Sequence, residues 1–441
     1  MPTFTPHTPE EIKQMLGFLG LDSISELYSH IPDSLKLGRQ LAFQGLDSEF
    51  DVLSELSLTG ETNINSAICF AGYGAYDRLI PAATKQLSAR SEFVTAYTPY
   101  QPEVAQGVLQ AIFEYQTFIT RLYGTDIANA SLYDGSSALV EAINIATSLR
   151  GSKKVVLSES IFHNYRQVAD TFSKGTDTEI VTVKESDLIE DLERFIDSKT
   201  AAVVVQTPNR YGYLVDLEEL SPTISKHGCL FIVVMDPIAA SVLKPPGKIG
   251  ADIVVGEGQP IGMPLSYGGP YLGLFSLRED LVRKLPGRLV GRTYDLDSKI
   301  AYVTTLRSRE QDIRREKASS NVCTNQTLMA VTAAIQLSWL GTSGILKVAQ
   351  NSFSAAHYLH SELHKHDFEF AYDKPFLWEF SLRFSQNIDK IIDAMLEEGF
   401  LAGVKVTEEF SKEEFLVVAA TEKRTRSEID SYVNALVKIT R

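Results

Sequence analysis

Three apolar runs in the middle of this chain end in residues that can do chemistry. AAVVVQT (201–207) leads into Thr207, Pro208 and Asn209. LFIVVMD (230–236) stops on Asp236, and the strand that opens DIVVGEGQPIGMPLSYGGPYLG (252–273) leads to Gln259. Residues just past the carboxyl ends of the strands line the ligand crevice of an open α/β sheet, so these three ends belong to one candidate site. Gln259 can donate and accept hydrogen bonds, but it cannot form an imine, because its nitrogen lone pair is delocalised into the carbonyl. The lysines nearest in sequence, Lys244 and Lys248 of KPPGK, precede that strand instead of following it.

Other segments each have a functional and a plain reading. Asp134-Gly135-Ser136-Ser137 opens a helix, where free amides and the helix dipole favour an anion such as phosphate. The same residues make an ordinary Asp/Ser N-cap. His163 can stack on a planar ligand or move a proton near neutral pH, or it can be an exposed loop residue. Thr95 to Glu103, TAYTPYQPE, sets Tyr97 and Tyr100 in a rigid extended stretch beside Gln101, which suits the aromatic wall of a pocket at a subunit boundary or simple packing. His357, His360 and His364 fall on one helical face at metal-chelating spacing, with His366 just beyond. A solvated face accounts for them as well, no carboxylate stands in position, and no metal site is assigned. GYGAYD (72–77) has Asp77 where a dinucleotide fingerprint needs its third glycine, which rejects NAD. RSREQDIRREK (307–317) can offer an arginine to a carboxylate, or form a charge-laced exposed helix.

The elements that must position these residues alternate. Strand patterns at VVLSES, EIVTVK, AAVVVQT, LFIVVMD and DIVVG are mostly separated by helical patterns, which predicts a mainly parallel sheet covered on both faces. A long amphipathic helix is expected over Pro102 to Tyr123, closed by Gly124, and another over Asn325 to Leu340. Thr8-Pro9-Glu10-Glu11 marks a helix start. The division expected is a helical arm over 1–60, a large α/β domain over 61–320 and a smaller α/β domain over 321–441, in keeping with 441 residues. The charge of −14 is dispersed, which argues against nucleic-acid and anionic-membrane partners. Three scattered cysteines suggest neither disulfides nor zinc, so a reducing, cytoplasmic setting is expected. No basic-then-apolar leader is read at the N-terminus, and no run reaches the roughly 18 apolar residues of a membrane span.

The order of strand ends resembles that of pyridoxal phosphate enzymes of the aspartate aminotransferase type (fold type I). In them the second strand supplies an aspartate to the pyridine nitrogen and the third delivers the Schiff-base lysine. More specifically, GYGAYDRLIPAA, RSEFVTAYTPYQPEVAQGVLQAIFEYQT, ANASLYDGSSALVEA, QTPNRYGYLVDLEEL, YGGPYLGLF and REQDIRREKASSNVCTNQTLMA resemble the P-protein family of the glycine cleavage system, in its subunit 1 form, over roughly residues 60 to 345. The resemblance implies a complex that decarboxylates glycine on pyridoxal phosphate and passes the aminomethyl group to the lipoyl arm of H-protein. It places the lysine on subunit 2, in an α2β2 assembly, which accounts for Gln259. It makes Thr95, Tyr97, Tyr100 and Gln101 candidates for the wall of a shared pocket. Ser136, Ser137, His163, Asp236 and Gln259 become remnants of a cofactor site. The rival expectations are a regulatory or scaffold pseudoenzyme, and an autonomous enzyme using Lys244 or Lys248.

Overall fold

The computed structural model describes residues 6–441 except 40, 43, 44, 46, 47, 65 and 319. The chain divides into two compact units, Met1–Asn65 and Ser66–Arg441. In the first, the helix Pro9–Leu19 begins as its sequence dictates. Thr8 and Glu11 form a reciprocal capping box, Pro9 fills the first turn, and Gly20 closes the helix in the left-handed conformation. A second helix, Glu49–Glu61, is capped by Ser48.

The second unit is built on a seven-stranded sheet. Its strands run in the order Ile127–Ala128, Gly273–Leu277, Ile253–Glu257, Leu230–Met235, Thr200–Thr207, Lys154–Ser158 and Glu179–Val183. The last five are mutually parallel, and Gly273–Leu277 is antiparallel to both its neighbours. Every residue of Thr200–Thr207 and of Leu230–Met235 is buried, as expected where a parallel sheet is covered on both faces. The α/β class and the strands read from the sequence are those of the structure. An antiparallel ribbon, Leu289–Tyr294 with Ile300–Thr305, had no counterpart in that reading.

The helix Gln106–Tyr123 turns Val108, Leu109, Ile112, Tyr115, Ile119 and Tyr123 into the core and ends at Gly124. Residues 102–104 form a separate 3₁₀ turn, so the helix starts four residues later than its periodicity suggests. The predicted helix near residue 325 spans Thr327–Lys365, because it resumes after a break at Gly341 (φ 59°, ψ −175°). By length and composition it is also the one helix among the described residues that could cross a membrane, with a mean hydropathy of 1.3 over its most apolar window. Polar residues interrupt the run, which hid it from a count of consecutive apolar residues. Ala330, Val331, Ala333 and Leu337 are buried in the protein core. Beyond it lies a four-stranded antiparallel sheet, ordered Glu369–Phe370, Glu379–Arg383, Glu414–Ala419 and Val404–Thr407, with helices Ile388–Glu397 and Arg426–Thr440.

The histidines of the long helix pack on that sheet's aromatics. The His357 ring stacks between Phe353 (3.8 Å) and Phe376 (4.1 Å), and the His360 ring on Phe370 (3.8 Å). His364 stands 6.3 Å from Phe370, and His366 ends the helix. His357 and His360 therefore belong to an aromatic packing surface, while His364 keeps the solvated position. Burial pulls both His357 and His360 below the usual imidazole pKa, opposed in part by the Phe376 carbonyl and by Asp373 respectively. A histidine whose folded pKa is depressed leaves stability intact above its unfolded value of about 6.5 and removes stability as pH falls through it. Relative to the parent chain, His360→Phe is therefore expected to gain thermal stability as pH drops from about 8 to about 5.5. A pH-independent difference in melting temperature would contradict this.

Candidate functional site

The carboxyl ends of the three central strands do converge on one crevice, lined by Tyr76, Phe162, Tyr165, Gln206, Asp236 and Glu257. It is nearly full, with about 20 Å³ left, the room of one water molecule. Asp236 sits there, but its Oδ1 accepts from the amides of Ile238 (2.7 Å) and Ala239 (3.0 Å), opening the turn Ala239–Ser241. Burial raises its pKa, with the Arg78 guanidinium and those two amides pulling the other way. Arg78 itself is buried, paired with Glu422 at 2.7 Å and lying 4.7 Å over Trp378.

Gln259 is buried and fully engaged. Its Oε1 accepts from the Tyr76 amide (2.9 Å), and its Nε2 donates to the carbonyls of Tyr76 (3.0 Å) and Met263 (2.8 Å). The side chain thus pins the loop of GYGAYD to the sheet, a task an amide does with both of its faces and a lysine cannot.

Glu257, which no sequence motif marks, decides the chemistry of the crevice. Its carboxylate accepts three backbone amides, those of Gly135, Gln259 and Leu272, each at 3.0 Å. Gly135 is the first residue of the helix Gly135–Arg150, so a side-chain carboxylate occupies the amide that would otherwise face a bound anion. A Cβ on Gly135 would lie 1.9 Å from the Tyr165 hydroxyl, so only glycine lets this tyrosine seal the helix start. Ser136 and Ser137 face Asp134, whose oxygens accept from both hydroxyls and from the Ser137 amide (2.8 Å). This is the N-cap reading. Burial pushes Glu257 up to about 7 against the three amides.

The remaining candidates lie apart. His163 is exposed on the first turn of His163–Thr176, with its amide donating to the Tyr73 hydroxyl (3.2 Å) and its ring 3.4 Å from Arg166. It does not line the crevice. Neither do Lys244, which is exposed and paired with Glu218, or Lys248, which is exposed in the turn Pro246–Ile249. Thr95 closes the short helix Ser91–Val94 by donating to the Ser91 carbonyl (2.6 Å). Tyr97 is 77% exposed, and Gln101 opens the turn Pro102–Val104.

Tyr100 is held from beneath by Arg288, a residue no motif marks. Buried Arg288 donates to the Tyr100 hydroxyl (2.9 Å) and to the Cys323 carbonyl (2.9 Å), and its guanidinium stands 4.8 Å from the ring centroid. Arg288 also reaches Asn325 (3.4 Å), which donates to the Ala130 carbonyl (3.0 Å). The tyrosine-proline segment and the CTNQ segment are therefore joined through one guanidinium.

Pyridoxal phosphate, whose lysine the resemblance places on subunit 2, does not fit this chain's own crevice. The space is water-sized, a carboxylate holds the helix N-terminus where the phosphate would go, and position 259 is an engaged amide.

A profile of the family described as "Glycine cleavage system P-protein" matches residues 2–436. A protein of Carboxydothermus hydrogenoformans, "Probable glycine dehydrogenase (decarboxylating) subunit 1", is 45% identical over 439 residues, covering 98% of this chain and 99% of the relative. A solved glycine decarboxylase (P-protein) of the glycine cleavage system, in inhibitor-bound form, superposes with a TM-score of 0.90 at 38% identity, covering 99% of this chain and 100% of that one. Mouse CSAD superposes with a TM-score of 0.69 at 15% identity, over 99% and 93% of the two chains, a likeness of fold alone. The fold is that of pyridoxal phosphate enzymes of fold type I.

The Glu257 clamp has a measurable consequence. Glu257→Gln sets a donor against one of the three amides, and is expected to cost about 1–3 kcal/mol in denaturant unfolding. An unchanged unfolding midpoint would show that the clamp contributes nothing.

Proposed function

The chain belongs to the glycine cleavage system P-protein family, among its glycine dehydrogenase (decarboxylating) subunit 1 members, and on that premise we propose that it is the lysine-less half of a two-subunit glycine decarboxylase. The observation that carries this reading is the Glu257 and Gln259 pair. One holds the amide a cofactor phosphate would need, and the other is an amide locked by three hydrogen bonds. The nitrogen that bonds the cofactor then has to come from a second chain, and "subunit 1" in the relatives' names supports there being one.

In this reading the second chain, subunit 2, carries the lysine and the pyridoxal phosphate. The α2β2 complex, in the cytoplasm, decarboxylates glycine and delivers the aminomethyl group to the lipoyl group of H-protein. No step of that chemistry runs in this chain's own crevice. Its contribution is a wall, in which Thr95, Tyr97, Tyr100 and Gln101 bind and orient the reactants at the shared boundary. Arg288 supports that role by fixing Tyr100 while leaving the ring half exposed. Asp236, Ser136 and Ser137 keep structural tasks, His163 lies exposed outside the crevice, and the positions of Lys244 and Lys248 argue against autonomous catalysis.

The test mixes the purified chain with pyridoxal phosphate and glycine, with and without subunit 2. Carbon dioxide release and a borohydride-trapped adduct are expected only with subunit 2, the adduct mapping to that subunit. An adduct on Lys244 or Lys248 with carbon dioxide release from the chain alone would overturn the reading. Replacing Tyr97 and Tyr100 together by Phe is expected to lower turnover of the complex by roughly tenfold or more, with assembly intact by gel filtration. Unaltered turnover would remove both tyrosines from the site.

A further inference from the structure

A second cavity, of about 260 Å³, shares no residue with the crevice. Its wall carries five cations: Arg283, Lys284, Arg309, Arg314 and Lys317. Four short elements bring them together. The turn Glu279–Lys284 ends in two of them, and the turn Arg307–Arg309 follows Leu306 at a φ of 53°. The helix Gln311–Arg314 and the turn Arg315–Lys317 supply the other two. No carboxylate lines the cavity.

Such a concentration of positive charge is unexpected in a chain of net charge −14, since like charges in one concavity repel. Neighbouring cations are neutralised locally, Arg307 by Asp312 (3.1 Å) and Arg278 by Asp280 (2.7 Å). Among the described residues, none of the five has a carboxylate within ion-pair distance. Arg309 is the most constrained of them. Its Nη1 donates to the Leu285 carbonyl, while its Nε and Nη2 are buried without a partner. The adjacent acid Glu310 also has an unpartnered buried oxygen and does not line the cavity. Buried guanidinium donors call for an acceptor, which a water, an ion or a bound ligand can supply.

We propose that this cavity is a binding site for a small molecule bearing phosphoryl groups with two or more negative charges. Guanidinium forks match phosphoryl oxygens two at a time, and three arginines with two lysines can neutralise a multivalent anion from several sides. The concave shape and the volume, just under the usual range for small-ligand pockets, favour a compact molecule over a flat protein surface.

Inorganic pyrophosphate is the probe. Titrated calorimetrically into the full chain at moderate salt, it is expected to bind one site per chain. Arg283→Ala and Arg314→Ala, both at exposed positions, are each expected to weaken binding by about tenfold, and Arg314→Lys by less. Thermal melts establish that the variants fold. Absence of saturable binding up to about 10 mM pyrophosphate would overturn the proposal. So would affinity unchanged in both alanine variants. Displacement by citrate as effective as by further pyrophosphate would overturn the phosphoryl assignment.

Discussion

Three backbone amides from three parts of the chain meet at one side chain, the Glu257 carboxylate, and the large domain is arranged around that meeting. Glu257 closes the strand Ile253–Glu257, and its oxygens hold the start of Gly135–Arg150, the loop at Gln259 and the entry to the strand Gly273–Leu277. A helix N-terminus needs an acceptor for its free amides, and in this fold that acceptor is commonly a ligand. Here the protein supplies its own acceptor, a side-chain carboxyl group. Tyr165 closes over it, and the space left is water-sized. The crevice is thus turned from a ligand site into part of the core.

The loop 72–77 depends on a second buried acid. Glu379, on the first long strand of the small sheet, accepts from the Tyr73 amide and from the Tyr76 hydroxyl (3.0 Å), while Gln259 holds the Tyr76 backbone from the large sheet. A Cβ on Gly72 would come within 2.2 Å of the Glu379 carboxylate, which accounts for that glycine without any nucleotide. Burial pushes Glu379, like Glu257, up to about 7. An acid with a raised folded pKa contributes most below its unfolded value of about 4.3, and that contribution is lost as pH rises through about 7. These two acids and the depressed histidines of the small domain therefore act in opposite directions over the same pH interval.

The segment proposed above as the wall of a shared pocket is itself anchored at several points. Tyr97 and Tyr100 stand out from the surface on a backbone held by Pro99, by the Thr95 bond and by Arg288. A wall that is ordered before a partner arrives loses less freedom on binding than a flexible one. In the reading proposed above, that is how a chain without the cofactor lysine would serve catalysis.

The strands, the helix Gln106–Tyr123, the cap at Thr8 and the absence of an imine-forming residue at 259 were legible in the sequence. Each follows from side-chain chemistry or from a local period of two or 3.6 residues. Family membership was legible as well, because long runs such as RREKASSNVCTNQ carry it residue by residue. Tertiary structure alone decided what closes the crevice. Glu257 and Gly135 are 122 residues apart, and Arg288 lies 188 residues from Tyr100. No local pattern announces a carboxylate or guanidinium that acts across such a separation. The histidine face gives the same lesson in reverse: its spacing was plain, but whether it met water, metal or phenylalanine rested on the sheet that folds against it. Periodicity shows which way a side chain points along its own element, and only packing shows what it points at.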